Sequence, residues 1–228
     1  MNINDKIKKQ INENIDLKYL SFHSSLVPNI SSIQGVRVPV LRKIAKSISK
    51  EEDLFKYLEN PTLENYEEVT IYGLVIGYLK LDIEKYQYYL DKFIPYIDNW
   101  ATCDIVVSNL KFIKKSKQEM YSFILKYLNS KKEFEVRFTI VLLMNYYLDE
   151  EFMNTLKLVE KVKLDYYYVK MAISWLISIC YIKHKDETIE FLKSASLDNW
   201  TYNKAIQKII ESRKVTKNEK EYFKTLKR

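Results

Sequence analysis

The stretch EFEVRFTIVLLMNYYL, Glu133 to Leu148, decides the fold. From Val136 onward it is apolar nearly all round, and it holds neither glycine nor proline. A β segment of that length would need a turn, and turns ordinarily use those two residues. The pattern instead predicts a helix buried between neighbours. YYYVKMAISWLISICYI, Tyr166 to Ile182, reads the same way. All four prolines (Pro28, Pro39, Pro61, Pro95) and all three glycines (Gly35, Gly73, Gly77) lie ahead of both stretches. The chain beyond Pro95 therefore reads as helices joined by short polar links.

Set side by side, EEVTIYGLVIGYL, NWATCDIVVSNLKFI, FEVRFTIVLLMNYYL, YYVKMAISWLISICYI and NWTYNKAIQKIIESRK share one register. Ile71, Asp104, Arg137, Lys170 and Asn203 fall at a constant step of about 33 residues. Second helical segments lie between them, such as KQEMYSFILKYL (residues 117–128) and EEFMNTLKLVEKV (residues 150–162). Two helices per step, stacked on their neighbours, predict an all-α protein built as an α-solenoid. An irregular all-α bundle is the competing arrangement. The length, 228 residues, suits one domain over residues 1–228.

Within this repeat, NWATCDIVVSNLKFI (Asn99 to Ile113) reads as one helix. Cys103, Val106, Val107, Leu110 and Ile113 follow the spacing of an inward face. Asp104 shares a second stripe with Trp100, Ser108 and Lys111, about a quarter turn away, so it emerges at the core edge. Four consecutive steps of the row carry polar or charged side chains where a packing repeat would use apolar ones. Asp104 and Arg137 can be partners in a salt bridge that spaces the repeats. Arg137 can equally clamp a phosphate.

Charge points to a partner class. Lys and Arg number 37 against 30 Asp and Glu, a net charge of +7, which suits a polyanion such as nucleic acid. AT-rich coding drift toward lysine is the bland explanation. GVRVPVLRKIAK (residues 35–46) gathers Arg37, Arg42, Lys43 and Lys46, either a solvated face or a contact to a phosphate backbone. Residues 204–228 carry nine basic side chains against three acidic ones, and read as an amphipathic basic helix pair with Ile206, Ile209 and Ile210 inward. The tyrosine patches YQYYL (86–90) and YYY (166–168) could stack on bases, but their spacing suits helix packing. Cys103 and Cys180 are too few for a disulfide framework, and His23 and His184 are isolated, so no metal motif is present. Without an apolar run long enough for a membrane span, or the apolar core of a signal peptide, a reduced cytoplasm is the expected compartment.

Four places carry a family resemblance. GVRVPVLRKIAK resembles a Gly-[Val/Ile]-[Arg/Lys]-x-Pro opening to a helix. NWATCD matches a Trp-x-x-x-Asp element, VRFTIV an Arg followed by a small-apolar helix, and VKMAISW an Ala-Ile-x-Trp element. In this order the chain resembles the AlkD family, HEAT-like-repeat DNA glycosylases that excise alkylated purines, from about Lys18 to Ile210. Members often carry a second arginine after the first; here that neighbour is Phe138.

The resemblance implies a HEAT-like α-solenoid with a concave basic groove. It implies Asp104 as the catalytic carboxylate, Trp100 and Trp175 as aromatic walls, and Arg137 on a DNA phosphate near the lesion. Arg37, Arg42, Lys43, Lys46, Lys170, Lys204 and Lys208 are the expected DNA-binding cations. The implied reaction is hydrolysis of the N-glycosidic bond of N3- or N7-alkylated purines in double-stranded DNA, the first step of base excision repair, without base flipping. No cofactor or metal is implied, no membrane is involved, and the protein is expected to act as a monomer. A non-catalytic DNA-binding solenoid, or a protein-interaction solenoid, is the alternative.

Overall fold

Half of the helices start where the sequence supplies a side-chain oxygen to cap them. Side chains of Asn2, Asp16, Asn65, Asp82, Asn99 and Asp198 each accept the backbone N–H three residues on. Thr216 and Glu219 form a reciprocal capping box. Such caps satisfy first-turn N–H groups that have no partner inside the helix. Beyond Pro95 the helices that start at Trp100, Asn199 and Lys217 use them, whereas those that start at Glu133, Phe152, Tyr167 and Lys185 begin without a side-chain cap.

The structure is a computed structural model and describes residues 1–27, 30, 32–149 and 151–228. Among these there are fourteen α-helices and no strand. The first seven are α1 (Ile3–Asn12), α2 (Leu17–Leu26), α3 (Val38–Ile48), α4 (Leu54–Glu59), α5 (Tyr66–Tyr78), α6 (Ile83–Phe93) and α7 (Trp100–Val107). The rest are α8 (Lys117–Leu128), α9 (Glu133–Tyr146), α10 (Phe152–Glu160), α11 (Tyr167–Lys183), α12 (Lys185–Ser194), α13 (Asn199–Glu211) and α14 (Lys217–Thr225). Pro28 and Glu150 lie outside the described residues. No helix among those described is long and apolar enough to cross a membrane.

The chain divides into two compact units, Met1–Phe123 and Ile124–Arg228. In each, every second helix packs on the next but one: α3 on α5 and α5 on α7, then α9 on α11 and α11 on α13. Ile71, Asp104, Arg137, Lys170 and Asn203 sit on α5, α7, α9, α11 and α13, each at the fourth to sixth position of its helix. The helical-pair repeat read from the sequence is therefore the architecture, and the irregular bundle is set aside.

In the first unit α5 is buried nearly all round. Ile71, Leu74 and Val75 meet a core shared with Leu41, Ile44 and Ile48 of α3 and Val106 and Val107 of α7, all fully or almost fully buried. Each such side chain contributes roughly 1.5–3 kcal/mol of burial. Gly73 allows the close approach: a Cβ there would lie 2.5 Å from the Phe93 ring and 2.7 Å from Val106. Between α5 and α7 the hydroxyls of Thr70 and Thr102 hydrogen-bond at 3.0 Å, which satisfies two buried polar groups.

The opening of α3 is fastened by a buried carboxylate. Glu67 of α5 is 0% exposed, and its Oε1 accepts the backbone N–H groups of Gly35 at 2.8 Å and Val36 at 3.2 Å. Gln34 N–H bonds both carboxylate oxygens, at 3.1 and 3.0 Å. Gly35 has φ +88°, a conformation that L side chains rarely adopt.

In the second unit the core runs through Phe138, Leu142 and Leu143 of α9, Leu176, Ile177 and Cys180 of α11, and Ala205, Ile206 and Ile209 of α13. Phe223 of α14 is fully buried, edge-on to Tyr181 at 4.6 Å. Ile206 and Ile209 point inward as expected, whereas Ile210 is only half-buried.

One expectation fails. The helix read over Asn99–Ile113 ends at Val107, and Lys111–Lys115 form a separate 3-10 turn. The stop is polar: the Ser108 hydroxyl donates to Ile105 O at 2.7 Å, and Asn109 Nδ2 donates across to Leu74 O at 3.0 Å. Side chains that bond backbone locally compete with helix continuation. Leu110 and Ile113 are still fully buried, but through the turn and not along the helix face. Lys111 accordingly leaves the Trp100 stripe.

Candidate functional site

In the first unit the candidate residues lie on α7. Ala101, Thr102, Cys103, Val106 and Val107 are buried, while Trp100, Asp104 and Ile105 are half-buried and Ser108 is exposed. The stripe through Trp100, Asp104 and Ser108 thus runs along the edge of the core, as its angular position predicts. Asn99 fixes the start of this helix: its Oδ1 accepts Thr102 N–H at 2.8 Å, and its Nδ2 donates to Thr102 Oγ1 at 3.0 Å. Trp100 is oriented by its own N–H, which donates to Leu26 O at the end of α2 at 3.1 Å. The indole edge is therefore held while the side chain stays half-buried.

Arg42 has a structural duty. Its guanidinium bonds Ser108 Oγ at 2.9 Å, Asn109 Oδ1 at 3.1 Å and Ile105 O at 3.3 Å. It places a cation on the negative end of α7. Arg37 is exposed, but it pairs with Asp16 at 2.9 Å and lies 5.0 Å from the Tyr19 ring. Lys43 and Lys46 are exposed on α3.

In the second unit Arg137 is 5% exposed on α9, and its Nη1 donates to Tyr168 O at 2.9 Å. Glu133, one turn earlier, accepts Tyr168 N–H at 2.7 Å. Together they fasten the start of α11 to α9. Trp175 is half-buried on a helix otherwise largely enclosed. The Ser174 and Ser178 stripe beside it is no open polar track. Ser174 Oγ donates to Lys170 O and Thr201 O, at 2.8 and 3.1 Å, and Ser178 Oγ to Trp175 O at 2.7 Å. Ser174 thus lines the seam where α13 packs.

The cations of this unit gather. Lys170 is paired with Asp165 at 2.5 Å, and this hydrogen bond raises its pKa. Lys170 and Lys204 both lie over the ring of Trp200, at 5.0 and 5.6 Å from its centre. Lys208 is held below the ordinary lysine range by burial, with Lys204 and Arg137 adding like-charge repulsion against the opposing pull of Glu211. A lysine whose charge is disfavoured by burial and by neighbouring cations marks a place where an anion would be welcome.

Sequence reasoning passed over three of these parts: the Glu67 clamp, the Leu26 tether and Trp200. Trp200 had a visible signal, because Asp-Asn-Trp occurs at 98–100 and again at 198–200. The tyrosine triplet has the spacing of helix packing, yet Tyr166 and Tyr167 are 45% and 55% exposed. Among the described residues, no group of three or more His, Cys, Asp or Glu could hold a metal ion.

A half-open indole–carboxylate pair on one repeat helix, and arginine and lysines clustered on others, define a helical-repeat protein suited to a polyanionic partner. The profile of the family described as DNA alkylation repair enzyme matches residues 3–209, and the chain belongs to that family. Membership gives it a role in the repair of alkylated DNA, with DNA as its partner. No curated protein and no solved structure gave a match.

Proposed function

We propose that this protein is a DNA glycosylase that hydrolyses the N-glycosidic bond of N3- or N7-alkylated purines in double-stranded DNA. It thereby initiates base excision repair without flipping the base, and acts as a monomer. The observation that carries the reading is the pairing of Trp100 and Asp104 one turn apart on the half-open edge of α7. We also read residues 1–228 as one HEAT-like-repeat domain, a reading supported by a family match from residue 3 to 209.

The chemistry suits these side chains. A purine alkylated at N3 or N7 is cationic and leaves as a neutral base, so it needs no strong acid to protonate it. Breaking the bond builds positive charge on the deoxyribose. The Asp104 carboxylate stabilises that charge and accepts the proton of the attacking water as it adds to C1′. The indoles of Trp100 and Trp175 attract the cationic nucleotide through their ring faces. Arg137, steadied by Tyr168 O, offers its charge to a phosphate, and Lys43, Lys46, Lys170, Lys204 and Lys208 hold the backbone. Arg37 takes part once Asp16 releases it. Arg42 acts by keeping the end of α7, and with it Asp104, in place. No cofactor is needed for this route.

The test is release of 7-methylguanine and 3-methyladenine from methylated duplex DNA. Wild type should release base, and Asp104→Asn should lose about 10²–10³-fold in rate, the size expected for one electrostatic contact to the transition state, while keeping duplex affinity. Duplex binding without base release would favour the non-catalytic alternative. No appreciable binding at moderate salt would favour a protein-interaction solenoid.

A further inference from the structure

The second unit leaves a group of large aromatic rings facing solvent. Trp200, near the start of α13, is 37% exposed, and Tyr166 and Tyr167, at the start of α11, are 45% and 55% exposed. Tyr167 stands edge-on to Trp200, with ring centres 5.7 Å apart. Lys170 and Lys204 lie 5.0 and 5.6 Å from the same indole centre. Asp165 is the carboxylate already paired with Lys170, and it is itself almost fully exposed.

Burying these rings would be worth roughly 1.5–3 kcal/mol each, so their exposure marks the patch off from the closed core behind it. Trp200 lies outside the buried face of α13, which is made by Thr201, Tyr202, Ala205, Ile206 and Ile209. The patch pairs flat π-faces with ammonium groups. Its complement is a chain that alternates planar rings with anions, which is a nucleic-acid strand. In an intact duplex the bases cover one another's faces, so exposed rings have only sugar edges to touch. The rings fit a strand whose bases are unstacked.

We propose that Trp200 and Tyr167, with Lys170 and Lys204, form a single-strand foothold. An unpaired DNA base stacks on the indole, and the two ammoniums take the flanking phosphates. The foothold rests on the reading that the protein works on DNA, but it is separate from base excision: it holds a locally opened or frayed strand, and no bond is made or broken there.

The experiment is fluorescence anisotropy of a labelled thymidine oligonucleotide, alongside a hairpin duplex of the same length, at several salt concentrations. Stacking of one base is commonly worth 1–3 kcal/mol. Trp200→Ala should therefore weaken oligonucleotide binding about five- to 150-fold, and Trp200→Phe by no more than about threefold, with the duplex hardly affected. The Lys170→Gln, Lys204→Gln pair should flatten the log–log salt slope for the oligonucleotide by about 1.4, from two lost phosphate contacts at about 0.7 each. Circular dichroism melting checks that each variant is folded. The phenylalanine variant keeps the test valid should the alanine variant not fold.

Wild-type binding to the oligonucleotide by Trp200→Ala overturns the proposal. So does an equal loss on oligonucleotide and duplex, which would make the patch a backbone contact only. The readout involves no base release. A wild type that binds the strand through Trp200 but excises nothing sinks the glycosylase reading alone. One that excises base but is indifferent to Trp200 sinks the foothold alone.

Discussion

Glu67 is the side chain whose removal should do most damage for its size. Glu67→Ala withdraws one fully buried carboxylate from three backbone N–H groups. Gln34 N–H is only part-buried and can turn to water, whereas the Gly35 and Val36 bonds are buried. Each buried donor left without an acceptor costs about 1–3 kcal/mol. Two of them give a local loss of about 2–6 kcal/mol, before any cavity is counted. Glu67→Gln is milder. Its amide oxygen can stand where Oε1 stood and keep Gly35, Val36 and one of the two Gln34 bonds, so only the charge reinforcement and the Gln34 bond to Oε2 go, about 1–2 kcal/mol. Hydrogen exchange reads the difference directly, since 1.4 kcal/mol is tenfold in an opening equilibrium. The amides of Gly35 and Val36 should exchange at least about thirtyfold faster in the alanine variant and about tenfold faster in the glutamine variant. Arg37 should become more mobile with them. If the Gly35 and Val36 amides keep their protection in Glu67→Ala, or if the two variants behave alike, the carboxylate clamp is wrong.

Two further outcomes rest on packing and charge. Gly73→Ala would set a methyl 2.5 Å from the Phe93 ring and 2.7 Å from Val106. It should destabilise the first unit by about 1–3 kcal/mol, checked by urea unfolding; a neutral result would mean that α5, α6 and α7 meet less closely than described. Lys208 has a folded-state pKa below its unfolded value of 10.5. Below both values the fold carries the cost of keeping that charge. Stability then rises with pH between the folded and unfolded pKa, where the unfolded chain holds more protons. Lys208→Gln should therefore raise the melting temperature slightly at neutral pH and abolish that rise. It should also weaken duplex binding and flatten its salt slope by about 0.9. A lower melting temperature with unchanged DNA affinity would refute this account of a lysine held charged against burial and like charge.

The repeat was legible because its step is written twice over, in apolar helices without breakers and in the row from Ile71 to Asn203. The end of α7 was not. Leu110 and Ile113 keep helical spacing, and only the reach of Asn109 to Leu74 O and of Arg42 to Ser108 shows that the chain turns there. Periodicity reports which residues face inward, and says nothing about a side chain that bonds the backbone of another helix. Glu67 was hidden for the same reason: at the head of a helix it reads as a solvated first-turn acid, and its partners lie 31 to 33 residues earlier. Trp100 and Asp104 were visible as an oddity of pattern and became a stripe on a core edge. Trp200 was missed because a tryptophan near a helix start is ordinary, and its lysines come from two different helices.

The two thiols gain meaning from the family's business. Reagents that alkylate purines are electrophiles, and the softest nucleophile a protein ordinarily offers them is a cysteine thiolate. Cys103 and Cys180 are both fully buried. Burial pushes the Cys180 thiol up to about 12, far above neutral pH, so the thiol there stays protonated and the reactive anion is scarce. Close packing of the repeat core thus doubles as chemical armour: Cys180 stays inert in the same chemical weather that damages the DNA.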